Sequence, residues 1–245
     1  MADETKQDSR IEPPRPRSER DPLTREQILD AATAFIDENG LPALTMRSLG
    51  NRLGVEAMSL YRYVNGREDL LEGMVARLVQ RLRLDPHGSD APPADGWQAY
   101  LQWLAHAVRN LAHRHPNAFP LVATRHPAAP WLRPPLRSLD VVEDFLVALT
   151  SRGFSDESAV AAYRTFSSFL LGHLLLESAS RGAKTSPAEV AFDEGDAEVP
   201  DDDLPAEDYP VTLRLRRLLS EDHADAEFEA ALEHVLDRLD RLVSE

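Results

Sequence analysis

The sequence predicts an all-α protein, and three observations carry that prediction. Apolar residues recur at three- and four-residue spacing along most of the chain. The two-residue alternation of a half-buried strand appears nowhere. Ser, Thr, Gly and Pro fall where helices start and stop. With 245 residues, 42% of them apolar, the chain can bury a sizeable core in one or two domains.

Residues 1–20 are polar, with Pro13, Pro14 and Pro16 among mixed charges, and read as a disordered arm. Order begins at Thr24, where Thr24-Arg-Glu-Gln27 fits a capping box. Ile28, Ala32, Phe35 and Ile36 follow on one helical face, and Gly40 supplies the stop. Thr45 starts a short second helix with Leu49 and Leu53 inward, ended by Gly54. A third runs from about Glu56 to Val64, with Leu60, Tyr61 and Val64 apolar. After Asn65-Gly66, a strong stripe of Leu70, Leu71, Met74, Val75, Leu78 and Leu82 marks a fourth.

The stretch 85–96 is rich in Pro, Gly, Asp and Ala, and the junction between an N-terminal domain at 21–83 and a C-terminal domain at 84–245 is placed there. Trp97, Tyr100, Leu101, Leu104, Val108 and Leu111 define the next helix, broken up by Pro116 and Pro120. A proline-rich loop surrounds Trp131, and residues 136–150 are helical again. Ser155 caps a long helix to about Ser180. Residues 181–210 lack periodicity and hold ten acids between Glu189 and Asp208, so they read as a solvated, mobile acidic loop. Two final helices cover 211–220 and 224–243, the last with a clean seam of Phe228, Leu232, Val235, Leu236, Leu239 and Leu242.

Composition excludes several classes. There are no cysteines, so disulfides, thiolate zinc sites and cysteine nucleophiles are ruled out. No signal-peptide pattern is expected at the N-terminus, and the most apolar segment, residues 169–176, is interrupted by Gly172 and His173 and too short to span a bilayer. A soluble, cytoplasmic protein without a membrane partner is the expectation. The net charge of −15 argues, as an average, against a nucleic-acid partner. The average hides a division. Residues 21–83 carry eight basic and nine acidic groups, whereas residues 84–245 carry 14 and 28. Within the first block, residues 44–67 hold Arg47, Arg52, Arg62 and Arg67 against one acid, Glu56. Such a locally basic element fits a nucleic-acid contact surface, although a solvated helix face would read the same.

Two short helices joined by a tight turn, with arginines at exposed positions, fit a helix-turn-helix. The second helix of such a motif enters the major groove while the first crosses the backbone. Leu60 and Val64 take the inner face of the third helix, leaving Ala57, Met58, Ser59, Tyr61, Arg62 and Tyr63 for groove and backbone. Small residues at its start permit close approach to base edges. Tyrosine hydroxyls and Arg67 suit phosphate oxygens.

Residues 23–71 resemble the DNA-binding domain of the TetR family of bacterial transcriptional repressors. The matching words are Ile28-Leu29-Asp30-Ala31-Ala32, Gly40-Leu41-Pro42-Ala43-Leu44-Thr45-Met46-Arg47-Ser48-Leu49, Leu53-Gly54-Val55 and Leu60-Tyr61-Arg62-Tyr63-Val64. The resemblance implies an N-terminal three-helix DNA-binding domain followed by a helical ligand-binding and dimerisation domain. It implies DNA contacts from Thr45, Arg47, Ala57, Met58, Ser59, Tyr61, Arg62, Tyr63 and Arg67, with Arg47 reading a base and Arg67 near phosphate. Gly50 departs from the family's usual alanine, and on helix propensity alone should weaken its helix by on the order of 1 kcal/mol.

Residues 97–177 look like the regulatory domain of the tetracycline-repressor subgroup, through Gly96-Trp97-Gln98, His115-Pro116, Thr124-Arg125, Arg152-Gly153-Phe154-Ser155 and Leu171-Gly172. That resemblance implies a dimer through helices 156–180 and 224–243, a palindromic double-stranded operator, and release by a small-molecule inducer. Candidate pocket residues are Trp103, His106, Phe119, Thr124, Arg125, Trp131, Phe145, Phe166, Phe169, His173 and Glu177. For the aromatics among them, plain core is the competing reading. The subgroup's drug complex includes a metal held by a histidine, but Leu121 stands at the matching position here. His113 and His115 near a helix end read as capping or surface groups rather than metal ligands, and no cofactor is expected. No G-x-S-x-G, phosphate loop or H-E-x-x-H is present, so an enzyme is not expected. The alternative is a helical protein-interaction module that is not ligand-controlled.

Overall fold

A computed structural model describes residues 23–84, 96–124, 131–134, 138–181 and 208–244. Helix α1 (Arg25–Asn39) opens as the sequence predicts: the Thr24 hydroxyl accepts from Gln27 N while the Gln27 side chain accepts from Thr24 N. A 3₁₀ turn (Leu41–Ala43) leads to α2 (Met46–Leu53), capped by Thr45 and Ser48 in the same reciprocal manner. Gly54, left-handed at φ 70°, ends α2 and turns the chain into α3 (Ala57–Leu60). Helix α4 (Arg67–Leu84) then packs across α1. Ile28, Ile36, Leu44, Leu49, Leu60, Val64, Leu70, Leu71 and Met74 are buried together as one core.

The remaining helices are α5 (Trp97–Arg114), α6 (Phe119–Thr124), α7 (Leu139–Thr150), α8 (Asp156–Ser180), α9 (Pro210–Leu219) and α10 (Ala224–Ser244). No strand occurs among the described residues. Helix α8 packs against α5, α6, α7 and α10, and carries a second core with Trp97, Leu101, Phe145, Phe166, Leu174, Phe228 and Leu239. By length and composition α8 could cross a bilayer. Its apolar side chains Ala162, Phe166, Leu170 and Leu174 instead lie buried in protein. Helix α9 buries none of its residues. The two cores meet at α5 and α6, because Leu111, Ala118 and Leu121 pack into the N-terminal one.

Three expectations are corrected. The third helix does not reach Val64. Its α-helical part ends at Leu60, and residues 61–63 tighten into turns closed by Arg62 N to Ser59 O (3.4 Å) and Tyr63 N to Leu60 O (2.9 Å). Pro120 breaks nothing: it lies in the first turn of α6, where its missing N–H is no loss. Gly50 is more than a weak spot in α2. A Cβ there would lie 2.9 Å from Val55 O and 3.2 Å from Ala57 N, so the α2–α3 turn folds back onto a position where only hydrogen fits. The expected arm at 1–20, the junction at 85–95 and most of the acidic loop lie outside the described residues.

Candidate functional site

Two arrangements stand out. The first is the exposed side of α2 and α3. Leu49 and Leu60 bury the inner face, which turns Thr45, Arg47 and Arg62 outward to solvent. Met58 is 72% exposed. Tyr61 is also exposed, while Ala57, Ser59 and Tyr63 are half-buried beside it.

The arginines of this region divide into two groups. Arg52 forms a bidentate pair with Glu38 on α1, and its guanidinium lies 6.0 Å from the Phe35 ring centre. Arg67 Nε donates to Leu44 O at 3.3 Å and its Nη2 to Leu41 O at 3.5 Å, tying α4 to the 3₁₀ turn. Arg25 reaches Asp69 at 2.8 Å and Tyr63 O at 3.0 Å, which locks α1 to the end of α3. Arg77 and Arg81 both hold Asp30. Hydrogen bonds from Arg77 draw the Asp30 carboxyl below its ordinary range, and Arg25 does the same to Asp69. Arg47 and Arg62 have no partner among the described residues. Sequence patterning treated the four arginines at 47, 52, 62 and 67 alike; the tertiary partners that distinguish them come from 14 to 26 residues away.

The second arrangement is a small apolar cavity, partly open to solvent. Its walls are Val79 and Leu82 of α4, Leu104 and Val108 of α5, Val122 of α6, Ser138, Val141 and Phe145 at α7, and Tyr163, Phe166, Ser167, Leu170 and Leu171 of α8. Of the pocket residues expected from the sequence, Phe145 and Phe166 line it. Phe119 is buried core. Trp103 stacks on Tyr100 at 6.0 Å. Phe169 and His173 pack around Phe228 at 6.3 and 5.4 Å. Trp131 is 72% exposed, and the exposed Thr124 donates to Pro120 O. Arg125 lies outside the described residues. The missed wall residues are mostly aliphatic, and in sequence they carry the same helical periodicity as core; only Ser167 and Tyr163 within an apolar run hinted otherwise.

His106 lies elsewhere, half-buried and 3.7 Å from Glu229 in a polar concavity shared with Arg109, Asn110, His113 and Asp225. Glu177 sits beside it in a buried knot. Its carboxylate accepts from Arg109 at 2.8 and 3.1 Å and lies 2.9 Å from His113 Nε2. Burial pushes this carboxyl up, but the hydrogen bonds from Arg109 and His113 outweigh it and hold it at about 2. Arg109 also donates to Asp225 at 2.7 Å and stacks 4.4 Å above Phe228, so one guanidinium joins α5, α8 and α10. No group of three or more potential metal ligands occurs among the described residues.

A capped two-helix reading head joined to a helical domain is the architecture of a DNA-binding regulator. Residues 28–74 match the family model described as bacterial regulatory proteins, tetR family. Residues 89–243 match the tetracyclin repressor-like C-terminal domain. The chain belongs to the TetR family of transcription regulators, and it is not an enzyme. It is 31% identical over 231 residues to the HTH-type transcriptional repressor DrrR1 of Streptomyces coeruleorubidus, covering 91% of this chain and 79% of that one. It is 29% identical over 217 residues to the class D tetracycline repressor of Escherichia coli, covering 87% and 88%. The crystal structure of a possible TetR family transcriptional regulator from Streptomyces coelicolor A3(2) superposes with a TM-score of 0.67 at 26% identity, over 89% of this chain and 99% of that one. Repressors of this family bind DNA and small molecules and act as dimers.

Proposed function

We propose that this chain is a cytoplasmic, ligand-released repressor of a palindromic operator. Residues 21–83 form the reading head and residues 84–245 the regulatory and dimerisation domain. Two copies pair through α8 and α10, where Leu176 of α8 stands 75% exposed. The pairing sets two α3 helices at half-sites about 34–36 Å apart or a multiple of that. Arg47 reads a base edge, Thr45, Arg62 and Tyr61 meet phosphate, and Ala57, Met58, Ser59 and Tyr63 fit the groove.

The observation that carries this reading is the double duty of α4. Its N-terminal half packs in the reading head through Leu70, Leu71 and Met74, and its C-terminal half supplies Val79 and Leu82 to the cavity wall. A molecule that fills the cavity better in another placement of α4 shifts the population away from the DNA-binding spacing. Fluorescence anisotropy with the promoter DNA of adjacent genes tests it. Affinity should fall steeply with salt, as phosphate contacts require, and a salt-independent signal would refute the assignment.

A further inference from the structure

The cavity wall has a chemical character that narrows what it can hold. No Lys, Arg, His, Asp or Glu lines it among the described residues. Its polar side chains are three hydroxyls, and two of them are already engaged. The Ser138 hydroxyl accepts from Val141 N as the cap of α7. The Tyr163 hydroxyl donates to Pro134 O at 2.8 Å, and burial pushes its pKa up to about 12, so it supplies no anion at neutral pH. Ser167 differs. It is 7% exposed, lies mid-helix on α8, and has no hydrogen-bond partner among the described residues. No buried side-chain oxygen lacks a partner among the described residues, so the unbonded Ser167 Oγ opens onto the cavity, where the polar group of a bound molecule can meet it.

We propose that the cavity takes an uncharged, largely apolar molecule bound without a metal ion, and that Ser167 Oγ makes the hydrogen bond to its one buried polar group. This deepens the inducer reading and rests on it for the regulatory consequence. An ion entering this wall would leave water with no opposite charge to meet it. A chelated divalent metal would find neither carboxylate nor imidazole, the groups that hold such ions in proteins. Phe145, Phe166 and Tyr163 supply flat apolar surface, and aliphatic side chains from α4, α5 and α8 fill the rest.

The test uses N-phenyl-1-naphthylamine, a neutral fluorophore with a single N–H and strong emission in apolar surroundings. On the full-length protein its fluorescence should rise saturably and be unchanged by EDTA. Ser167→Ala should weaken binding by about 2- to 10-fold, the net value of one hydrogen bond. Val108→Trp, which fills the cavity, should abolish it while circular dichroism and operator affinity are retained. If that variant fails to fold, Leu104→Phe replaces it. Tetracycline with magnesium, titrated in parallel, should not bind. Saturable, EDTA-sensitive binding of the magnesium complex, or probe binding untouched by both the cavity-filling and Ser167 variants, overturns the proposal. Operator affinity measured with the probe present separates the two layers. Cavity binding without release of DNA would sustain the ligand class and defeat the inducer reading.

Discussion

The His115 Nδ1 lies 2.7 Å from Asp37 Oδ2, and this contact joins the end of α1 to the α5–α6 turn. A carboxylate only accepts, so the proton sits on Nδ1. Asp37 is used twice more at the same place. Its Oδ1 accepts from Ala118 N at 3.3 Å, its backbone O accepts from Asn117 Nδ2 at 3.0 Å, and Ala118 itself is buried in the N-terminal core. Four residues beyond Ala118, Val122 forms part of the cavity wall. The reading head therefore has a second attachment to the regulatory helices, besides the continuous α4.

Asp37→Ala is predicted to loosen that attachment. It removes two side-chain acceptors from partly buried donors, which should lower stability by about 1–3 kcal/mol. Urea unfolding reads the loss. Operator affinity should remain within a fewfold of the parent, while ligand-induced release from DNA should weaken. Unaltered release would mean that α4 alone carries the coupling.

Gly50→Ala is predicted to destabilise the protein, against helix propensity, which favours alanine by about 1 kcal/mol. The added methyl would meet Val55 O at 2.9 Å and the Ala57 backbone at 3.2–3.3 Å, and backbone yields poorly. Thermal unfolding should show a lower Tm, with operator affinity reduced because α3 is displaced. A rise in Tm would show that the α2–α3 turn relaxes freely.

Arg47→Ala and Arg67→Ala should behave oppositely. Arg47 has no partner among the described residues, so its loss should leave Tm unchanged and cost roughly 1–3 kcal/mol of operator affinity at one base position. Arg67 bonds the Leu41 and Leu44 carbonyls, so its loss should lower stability first. Paired anisotropy and unfolding measurements separate them.

Glu177 should mark the acid limb of the stability curve. Its folded pKa of about 2 lies below the ordinary 4.5, so its stabilisation is complete above about pH 4.5 and is lost as pH falls towards 2. The shift corresponds to on the order of 3 kcal/mol. Glu177→Gln should be less stable at pH 7 and lose less than the parent between pH 4.5 and 2.5 in urea titrations. Parallel slopes in the two proteins would remove Glu177 from the acid response.

Local signals were legible in the sequence, and partnerships across the chain were not. The Thr24, Thr45 and Ser155 caps bond to groups three residues away, so a short window contains both partners, whereas the Ser138 cap went unread and α7 begins later than predicted. The apolar faces of α1, α4, α8 and α10 were legible for the same reason of periodicity. The end of α3 was not, because an apolar pattern cannot distinguish a final helical turn from the tighter turns at 61–63. The value of Gly50 depends on the backbone of Val55 folding back over it, which propensity does not see. Glu177 looked like a pocket acid and is instead paired with Arg109, 68 residues away. The cavity wall escaped because Val79, Leu104, Val108 and Leu171 bear the same side chains as core.

The Arg109 knot has a consequence for assembly. By gripping Glu177 on α8, Asp225 at the start of α10 and the face of Phe228, it fixes the relative pose of the two helices within a single protomer. Under the proposed pairing, the surface shown to a second copy is thus preorganised before the copies meet. Association then needs little further ordering of these helices, so more of the interface energy remains to oppose dissociation. A scarce regulator, present at few molecules per cell, gains most from that: its two reading heads stay paired between visits to DNA.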